Sequence, residues 1–570
     1  MKNKLVADIF RHIAEILQIK EENVFRVRAY QKAADNIEAM PEDIAGFVSF
    51  GRLGDIPGIG ADLSAKIAEI VSTGKLKFYE DLKESIPEGL LAILDIPSVG
   101  PHTAGLLYKK LKIKSIAELE KAVKAGKLKG IPGIKEKTIA NIREGIDLLK
   151  RARERMPFAQ AAGLAADLVQ AIKDGSGGLK RIVPAGSLRR CRETVRDIDI
   201  LVVSASPRKV MGVFTGLPQV KDVLAHGPAK SSVRTGDGVQ VDCRVVEERS
   251  FGAALMYFTG SRNFNIHLRK LALSKGWKIN EYGVFKGRKF LAGRTEEEIF
   301  KLFKMQYVDP EIREDAGEFE SAQKFELPGL IRLEDIKGDL HAHSDYSDGE
   351  NTIEEMARAA QSKGYSYIAL TDHSQGLKIA GGLSLAALKK KRKEIDLVNR
   401  KLPGFRVFFG AEVDIDSEGR LDYPDDVLKQ FDIVIGAVHL GFKYSRAQQT
   451  SRIVRACRSK LVHFIAHPTG RLWGSRDSYE LDWPEVFKAA VDTNTALEIN
   501  SFPDRLDLND RNSRFAAKSG VKIAINTDSH AVRHLDNMHF GISVARRAGI
   551  GPGNVINTLL PGELLKAIKK

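Results

Sequence analysis

At 570 residues the chain is long enough for roughly three to five domains. Its 43% hydrophobic and 29% charged residues, with 50 Gly and 20 Pro, exclude disordered and fibrous classes. The net charge of +15 is unevenly placed: residues 1–330 hold 54 Lys and Arg against 43 Asp and Glu, and residues 331–570 hold 35 against 31. A basic front half is the electrostatic footprint of a polyanionic partner, whereas nine of the 13 histidines fall after residue 330. Apolar runs such as FDIVIGAV at 431–438 fall far short of the ~20 residues a bilayer requires. The first 20 residues are punctuated by Asp8, Arg11, His12 and Glu15, so neither a membrane span nor a signal peptide is expected. Three scattered cysteines, Cys191, Cys243 and Cys457, suit a reducing cytoplasm.

The first 150 residues read as short amphipathic helices, beginning with Val6, Ile9, Phe10, Ile13, Ile16 and Leu17 at helical spacing. A phrase recurs among them: DIPGIG at 55–60, DIPSVG at 95–100 and GIPGIK at 130–135, each followed by a helical stretch. Such turns expose backbone N–H groups at a helix start, where a phosphate is favoured and no base is read. They resemble the helix-hairpin-helix motif of DNA-binding proteins, with Gly58, Gly60, Gly100 and Gly133 at the turns and Lys135 replacing the last Gly of the third.

Between 155 and 310 strands and helices mix. GSLRRCRETVRDIDILVV places Asp197 and Asp199 two apart on one strand face, and Asp242 lies in a second alternating strand, GVQVDCRVV. If those strands pair, three carboxylates converge, as two hard divalent ions bridging a nucleotide require. Gly186 and Ser187, with Arg189 and Arg190, offer a close backbone approach, a hydroxyl and cations to a triphosphate.

Here the sequence closely resembles family X DNA polymerases of the nucleotidyltransferase superfamily, over residues 1 to about 318. The resemblance implies that Asp197 and Asp199 hold both metals, Mg²⁺ or Mn²⁺, that Asp242 completes the catalytic site, and that Gly186, Ser187 and Arg190 take the triphosphate. YFTGSRNFNIHLR at 257–269 resembles the thumb's nucleotide-binding segment, continued by NEYGVF at 280–285. By that match Tyr257 and Phe258 wall the sugar beside Gly260, Asn265 touches the incoming nucleotide and Arg269 lies near the template; Arg262 replaces an acidic residue of some relatives. FRVRAYQKAADNI at 25–37 resembles the family's 5'-phosphate-binding domain, which implies that Arg26, Tyr30 and Lys32 hold a 5'-phosphate. Lys66 falls where lyase-active relatives carry a Schiff-base lysine, but Asp62 stands where they often have a supporting Lys, which opposes a depressed lysine pKa.

After residue 338 apolar runs alternate with charged helical stretches, the pattern of a parallel sheet or barrel. His341, His343, Asp348, His373, Glu412, His439, His467, Asp528 and His530 nearly all stand at the C-terminal ends of those runs, which meet at one rim in an α/β barrel. Six imidazoles and three carboxylates suit two or three zinc, manganese or iron ions. His463 reads as packed, and His534 and His539 as supporting or structural. In order, the nine resemble the ligand pattern of the polymerase and histidinol phosphatase (PHP) domain, a distorted barrel with a trinuclear phosphoesterase site.

The expected fold is therefore multidomain: an all-α helix-hairpin-helix N-terminal region, an α+β nucleotidyltransferase palm and thumb, and a C-terminal α/β distorted barrel of PHP type. The expected boundaries are 1–85 for the 5'-phosphate-binding domain, 86–153 for a fingers-like helical domain, 154–248 for the palm, 249–318 for the thumb, 319–337 for a linker and 338–570 for the PHP domain. The expected activity is short-gap filling in DNA repair, with hydrolysis at 3' ends as exonuclease, phosphatase or abasic-site endonuclease. Expected partners are gapped or nicked DNA, primer 3' ends and dNTPs, met by a cytoplasmic monomer. A DNA-end-binding PHP nuclease or phosphatase with an inactive polymerase half is the alternative, against which the complete triad argues.

Overall fold

The computed structural model describes residues 2–568 except 39, 41, 42, 57, 95, 97 and 98, and side chains other than those of 4, 38, 88 and 147–154. Pro57, Asp95, Pro97 and Ser98 of the first two turn phrases thus lie outside the described residues. Two units form, Met1–Arg153 and Glu154–Lys570.

The first unit is helical throughout. The apolar stripe of helix Lys2–Ile19 is buried along its length, from Val6 to Leu17. Helix Pro101–Leu111 packs so closely on its end that a Cβ on Gly105 would stand 2.7 Å from the carbonyl of Ile19. The helices before and after residue 86 therefore share one core. One backbone bond recurs in all three repeated phrases, the N–H of Ile59, Val99 and Ile134 donating to the carbonyl three residues earlier at 3.0–3.1 Å. Helices Ala61–Thr73, Pro101–Leu111 and Glu136–Glu154 follow them. The carbonyls of Gly60, Gly100 and Lys135 accept the first bond in each case, so Lys135 keeps the geometry despite replacing glycine. Gly58 and Gly133 sit at φ +82° and +93°, the left-handed backbone that favours glycine.

The second unit opens with helix Phe158–Ser176 and a five-stranded mixed sheet in the order Leu179–Pro184, Asp197–Ser204, Gln240–Val245, Lys230–Thr235, Val220–His226. Alternation along Asp197–Ser204 sends Ile198, Ile200 and Val202 toward helices Phe158–Ser176 and Pro207–Thr215. Leu201 and Val203, on the face of Asp197 and Asp199, pack under Phe251 and Ala254. Helices Phe251–Thr259, Arg262–Ser274 and Glu296–Leu302 then enclose a small core with a three-stranded antiparallel sheet spanning 278–292. Residues 319–337, expected as a linker, are built into this unit: Phe319 and Ala322 are buried, and Ile331 N–H donates to Ile550 at 3.0 Å.

Seven parallel strands follow, Gly338–Ala342, Tyr367–Leu370, Arg406–Asp414, Ile433–Ala437, Phe464–Ile465, Ala496–Asn500 and Ile523–Asn526, each paired with the next in sequence. The sheet curls until Ala342 bridges Ser529, joining the first strand to the end of the last. Between two of its strands Lys391, fully buried, donates to the carbonyls of Leu370 and Gly410 and pairs with buried Asp372 at 2.7 Å. The mixed sheet and the barrel meet through Phe158 edge-on to Phe540, an Arg471–Glu193 pair, and Arg546 bonded to Asp309 and Glu311. The expected sequence of a helical region, an α+β centre and a distorted barrel is the architecture observed.

Candidate active sites

In the mixed sheet, strands Asp197–Ser204 and Gln240–Val245 run parallel with Asp199 directly opposite Asp242. Asp197 lies two residues away on the same face, so the condition on which convergence depended is met. Burial and the charges of Asp197 and Asp242 push the Asp199 carboxyl up to about 7. An all-oxygen set this poorly compensated fits hard divalent cations. Gly186 backs the site at φ +68°, and a Cβ there would lie 2.5 Å from Asp199 Oδ2. Ser187 follows in the short helix Gly186–Arg189.

The two arginines after it diverge. Arg189 turns inward, donating to Thr259 and bidentately to Glu296, which is 4% exposed and also held by buried Arg313. A buried carboxylate needs that compensation, so Arg189 is committed to structure rather than to a triphosphate. Arg190 donates through Nε to Glu314 at 3.2 Å and through Nη1 to the Thr259 carbonyl, and Nη2 has no protein partner among the described residues. Tyr257 and Phe258 meet edge to face, Arg269 lies over Tyr257, and Asn265 donates to the Tyr257 carbonyl at 2.7 Å. Beside them opens a cavity of about 720 Å³ carrying the cations Lys230, Arg244, Arg249 and Arg288.

At the barrel rim the nine predicted residues come together. His343, Asp348, His373 and His530 form one compact group, His341, His343 and Asp528 a second, and His373, Glu412 and His439 a third. His467 joins through Glu412, its Nε2 2.9 Å from Oε1. Buried Glu412 also lies 2.9 Å from His373 Nδ1, 3.4 Å from His439 and 3.5 Å from His341. Several of these contacts lack hydrogen-bond geometry: His341 Nε2, both nitrogens of His343, His373 Nδ1, Glu412 Oε2 and His467 Nδ1 are buried without a hydrogen-bond partner. Buried polar atoms are ordinarily satisfied, and lone pairs converging without hydrogen bonds fit metal ions. His343 is pushed down to about 4 by burial and by His530 and His373. Burial also opposes protonation of His341, but Asp528, Glu498 and Glu412 outweigh it and hold that imidazole well above its usual range. His467 and Asp528 have positive φ, a strained backbone found at functional sites.

Sequence reasoning missed the supporting shell. Glu498 bonds His341 Nδ1 at 2.8 Å and accepts from the His467 N–H and from Asn526, while Asp414 bonds His439 Nδ1 at 2.5 Å. The signal was present, since Glu498 is a lone carboxylate inside the apolar run TALEIN, two residues from the strand's end. Arg505 was also missed, with Nε 3.3 Å from Asp528. His463 is packed as expected, accepting from Val434 N–H, and His534 accepts from the His530 N–H.

In the helical unit Tyr30 is a core residue, 2% exposed, edge-on to Phe10 and stacked on Phe78. Of the three residues expected at a 5'-phosphate, Arg26 and Lys32 are the exposed ones. Lys66 lies over the Phe78 ring and pairs with Asp62.

Family models place a helix-hairpin-helix domain at 1–76, a helix-hairpin-helix tandem at 90–147, a DNA polymerase beta thumb at 254–314 and a PHP domain at 339–501. The chain is 37% identical over 561 residues, 98% of its length and 97% of the relative's, to the DNA polymerase/3'-5' exonuclease PolX of Bacillus subtilis. It is 26% identical to rat DNA polymerase lambda over 53% of its length and 56% of the relative's. It is also 33% identical to a probable phosphatase of Thermoanaerobacter sp. (strain X514) over 39% of its length and 89% of the relative's. With its paired carboxylate strands, its helix-hairpin-helix turns and its histidine-rimmed barrel, the chain belongs to the family X DNA polymerases that carry a C-terminal PHP domain.

Proposed function

We propose that this chain fills short gaps in DNA by nucleotidyl transfer and trims or cleans primer 3' ends by phosphoester hydrolysis in the barrel. The observation that carries the synthetic half is the register of Asp199 against Asp242, with Asp197 beside them and Gly186 packed so closely that only a glycine clears the Asp199 carboxylate. These carboxylates would hold Mg²⁺ or Mn²⁺, which when bound activates the primer 3'-hydroxyl and offsets triphosphate charge. Ser187 and Arg190 orient the triphosphate, and Tyr257, Phe258 and Asn265 wall the incoming nucleotide. Arg269, which lies over the Tyr257 ring, is assigned to the template.

In the barrel the nine rim residues would hold two or three zinc, manganese or iron ions, which supply Lewis acidity to a water and to the scissile phosphate. Glu498 and Asp414 fix the imidazoles of His341 and His439 from behind. The likeness to a probable phosphatase supports a phosphoesterase, and the relative named as a 3'-5' exonuclease supports primer ends as its substrate. Abasic-site cleavage is a further reaction of the same class. Lys66 is assigned no Schiff-base role, because its amine is engaged by Asp62. Among the described residues no helix is long and apolar enough to cross a membrane, and we assign a cytoplasmic monomer.

The test is a labelled primer in a short-gapped duplex with Mn²⁺ or Mg²⁺, with and without dNTPs. Lengthening with nucleotides and shortening without them is the expected result. Asp242→Ala should abolish the first and spare the second, and His341→Ala the reverse. Shortening in every lane at all dNTP concentrations would show a nuclease with an inactive polymerase half.

A further inference from the structure

Arg547 ends helix Met538–Arg547 on the barrel side, and it is 3% exposed. Its Nη1 lies 2.9 Å from Glu314 Oε1 and donates at 2.9 Å to the carbonyl of Arg190. Its Nε pairs with Asp510, also from the barrel side, at 2.6 Å. The same Oε1 of Glu314 accepts from Arg190 Nε at 3.2 Å. One carboxylate is therefore shared by an arginine of the triphosphate arm and an arginine of the hydrolytic domain. Asp510 offsets the second arginine's charge from its own side, without a directed hydrogen bond from Nε.

We propose that Arg547 is a positioning residue for nucleotide binding at the polymerase site, holding Arg190 in place through Glu314 and through the Arg190 carbonyl. The proposal rests on the reading of Arg190 as a triphosphate contact. Arg190 spends Nε on Glu314 and Nη1 on the Thr259 carbonyl, and only Nη2 is left for an anion. Where that donor points is set by the other two bonds and by the backbone to which Arg547 donates. Arg547 and Arg190 draw on the one carboxylate together, and burial makes its loss costly to both. Nη1 of Arg547 donates to the carbonyls of Arg190 and Glu311 while its charge faces Glu314; a planar guanidinium fixes those directions, and an ammonium at the end of a lysine stem does not. Arg547 touches neither nucleotide nor metal and acts only through Arg190.

The experiment measures dNTP KM and kcat for filling a one-nucleotide gap, and 3' shortening without dNTPs, in the full chain. The variants are Arg547→Ala, Arg547→Lys, Glu314→Ala, the Arg547→Ala/Glu314→Ala double and Arg190→Ala. We expect Arg547→Ala to raise KM about tenfold, as loss of one hydrogen bond to a charged group does, with kcat and 3' shortening within about twofold of the parent. Arg547→Lys should recover part of the loss, and the double should be no worse than the weaker single, since both break one linkage. An unchanged KM in Arg547→Ala with a raised KM in Arg190→Ala would overturn the proposal and leave the reading of Arg190 standing. An unchanged KM in Arg190→Ala would overturn that reading and the proposal with it. Additive effects in the double, or extension and shortening falling together, would show a general structural role and overturn it too. Should Arg547→Ala not fold, Arg547→Lys and Glu314→Ala decide by the same criteria.

Discussion

Gly186 shows how little freedom the polymerase site has. With φ at +68° and Asp199 Oδ2 2.5 Å from where a Cβ would stand, Gly186→Ala should strain the turn and displace the carboxylate. Extension should fall at least 100-fold, as ~1 Å misplacements of reacting groups do, with 3' shortening intact. Retention of near-normal extension would mean that Asp199 can move without loss. Asp199 also has a cost to the fold. Its carboxyl is raised to about 7 by burial, Asp197 and Asp242, against about 3.9 when unfolded. The folded chain thus binds the extra proton between those values, so this residue's contribution to metal-free stability falls as pH rises through that window. Asp199→Asn should raise the melting temperature at pH 8 by about 2 °C or more in chelator and change it little at pH 5. Calorimetry at both pH values checks this, and an equal shift at the two would exclude a charge effect.

Among the elements, the barrel strands owe their function to their ends. Glu498 closes strand Ala496–Asn500's contribution by bonding His341 and the His467 N–H at once. Glu498→Gln should weaken metal retention by roughly 10- to 100-fold, the usual effect of losing a partner behind a ligating imidazole, while gap filling continues. Metal content after dialysis against graded chelator measures it; undiminished content would make Glu498 merely structural. The nine rim residues proposed as ligands were legible as a group because strand-end placement repeats, and repetition is what a sequence displays. The turn phrases were legible for the same reason, even where Lys135 breaks the pattern, because the turn bond uses only backbone. The inward turn of Arg189 was not, since its partner Glu296 lies 107 residues away and adjacent Arg190 has the same chemistry. Nor was the burial of Tyr30, a ring whose stacking on Phe78 depends on tertiary packing.

At the scale of the whole molecule, charge and sequence separation matter most. If the basic front contacts ~6 to 10 phosphates, DNA affinity should drop by ~10³ to 10⁵ between 50 and 200 mM salt, with little sequence preference. A flat salt profile in a fluorescence-anisotropy titration would argue against backbone clamping by the turns. Boundaries were the least legible feature: the expected linker is packed, and Arg547 meets Arg190 across 357 residues, a pairing no local pattern records. The closure of the barrel by the Ala342–Ser529 bridge also sets an order in time. The carboxylate triad is complete once Asp242 has been synthesised, but His530 comes 288 residues later, roughly 15 to 60 s at ribosomal speed. For the later part of that interval, once His343 has been added, a nascent chain displays His341 and His343 with no last strand to close over them. On the proposed assignment the hydrolytic site is therefore the last to be assembled, and a ribosome that stops early would release a chain with its carboxylate triad but without a closed barrel rim.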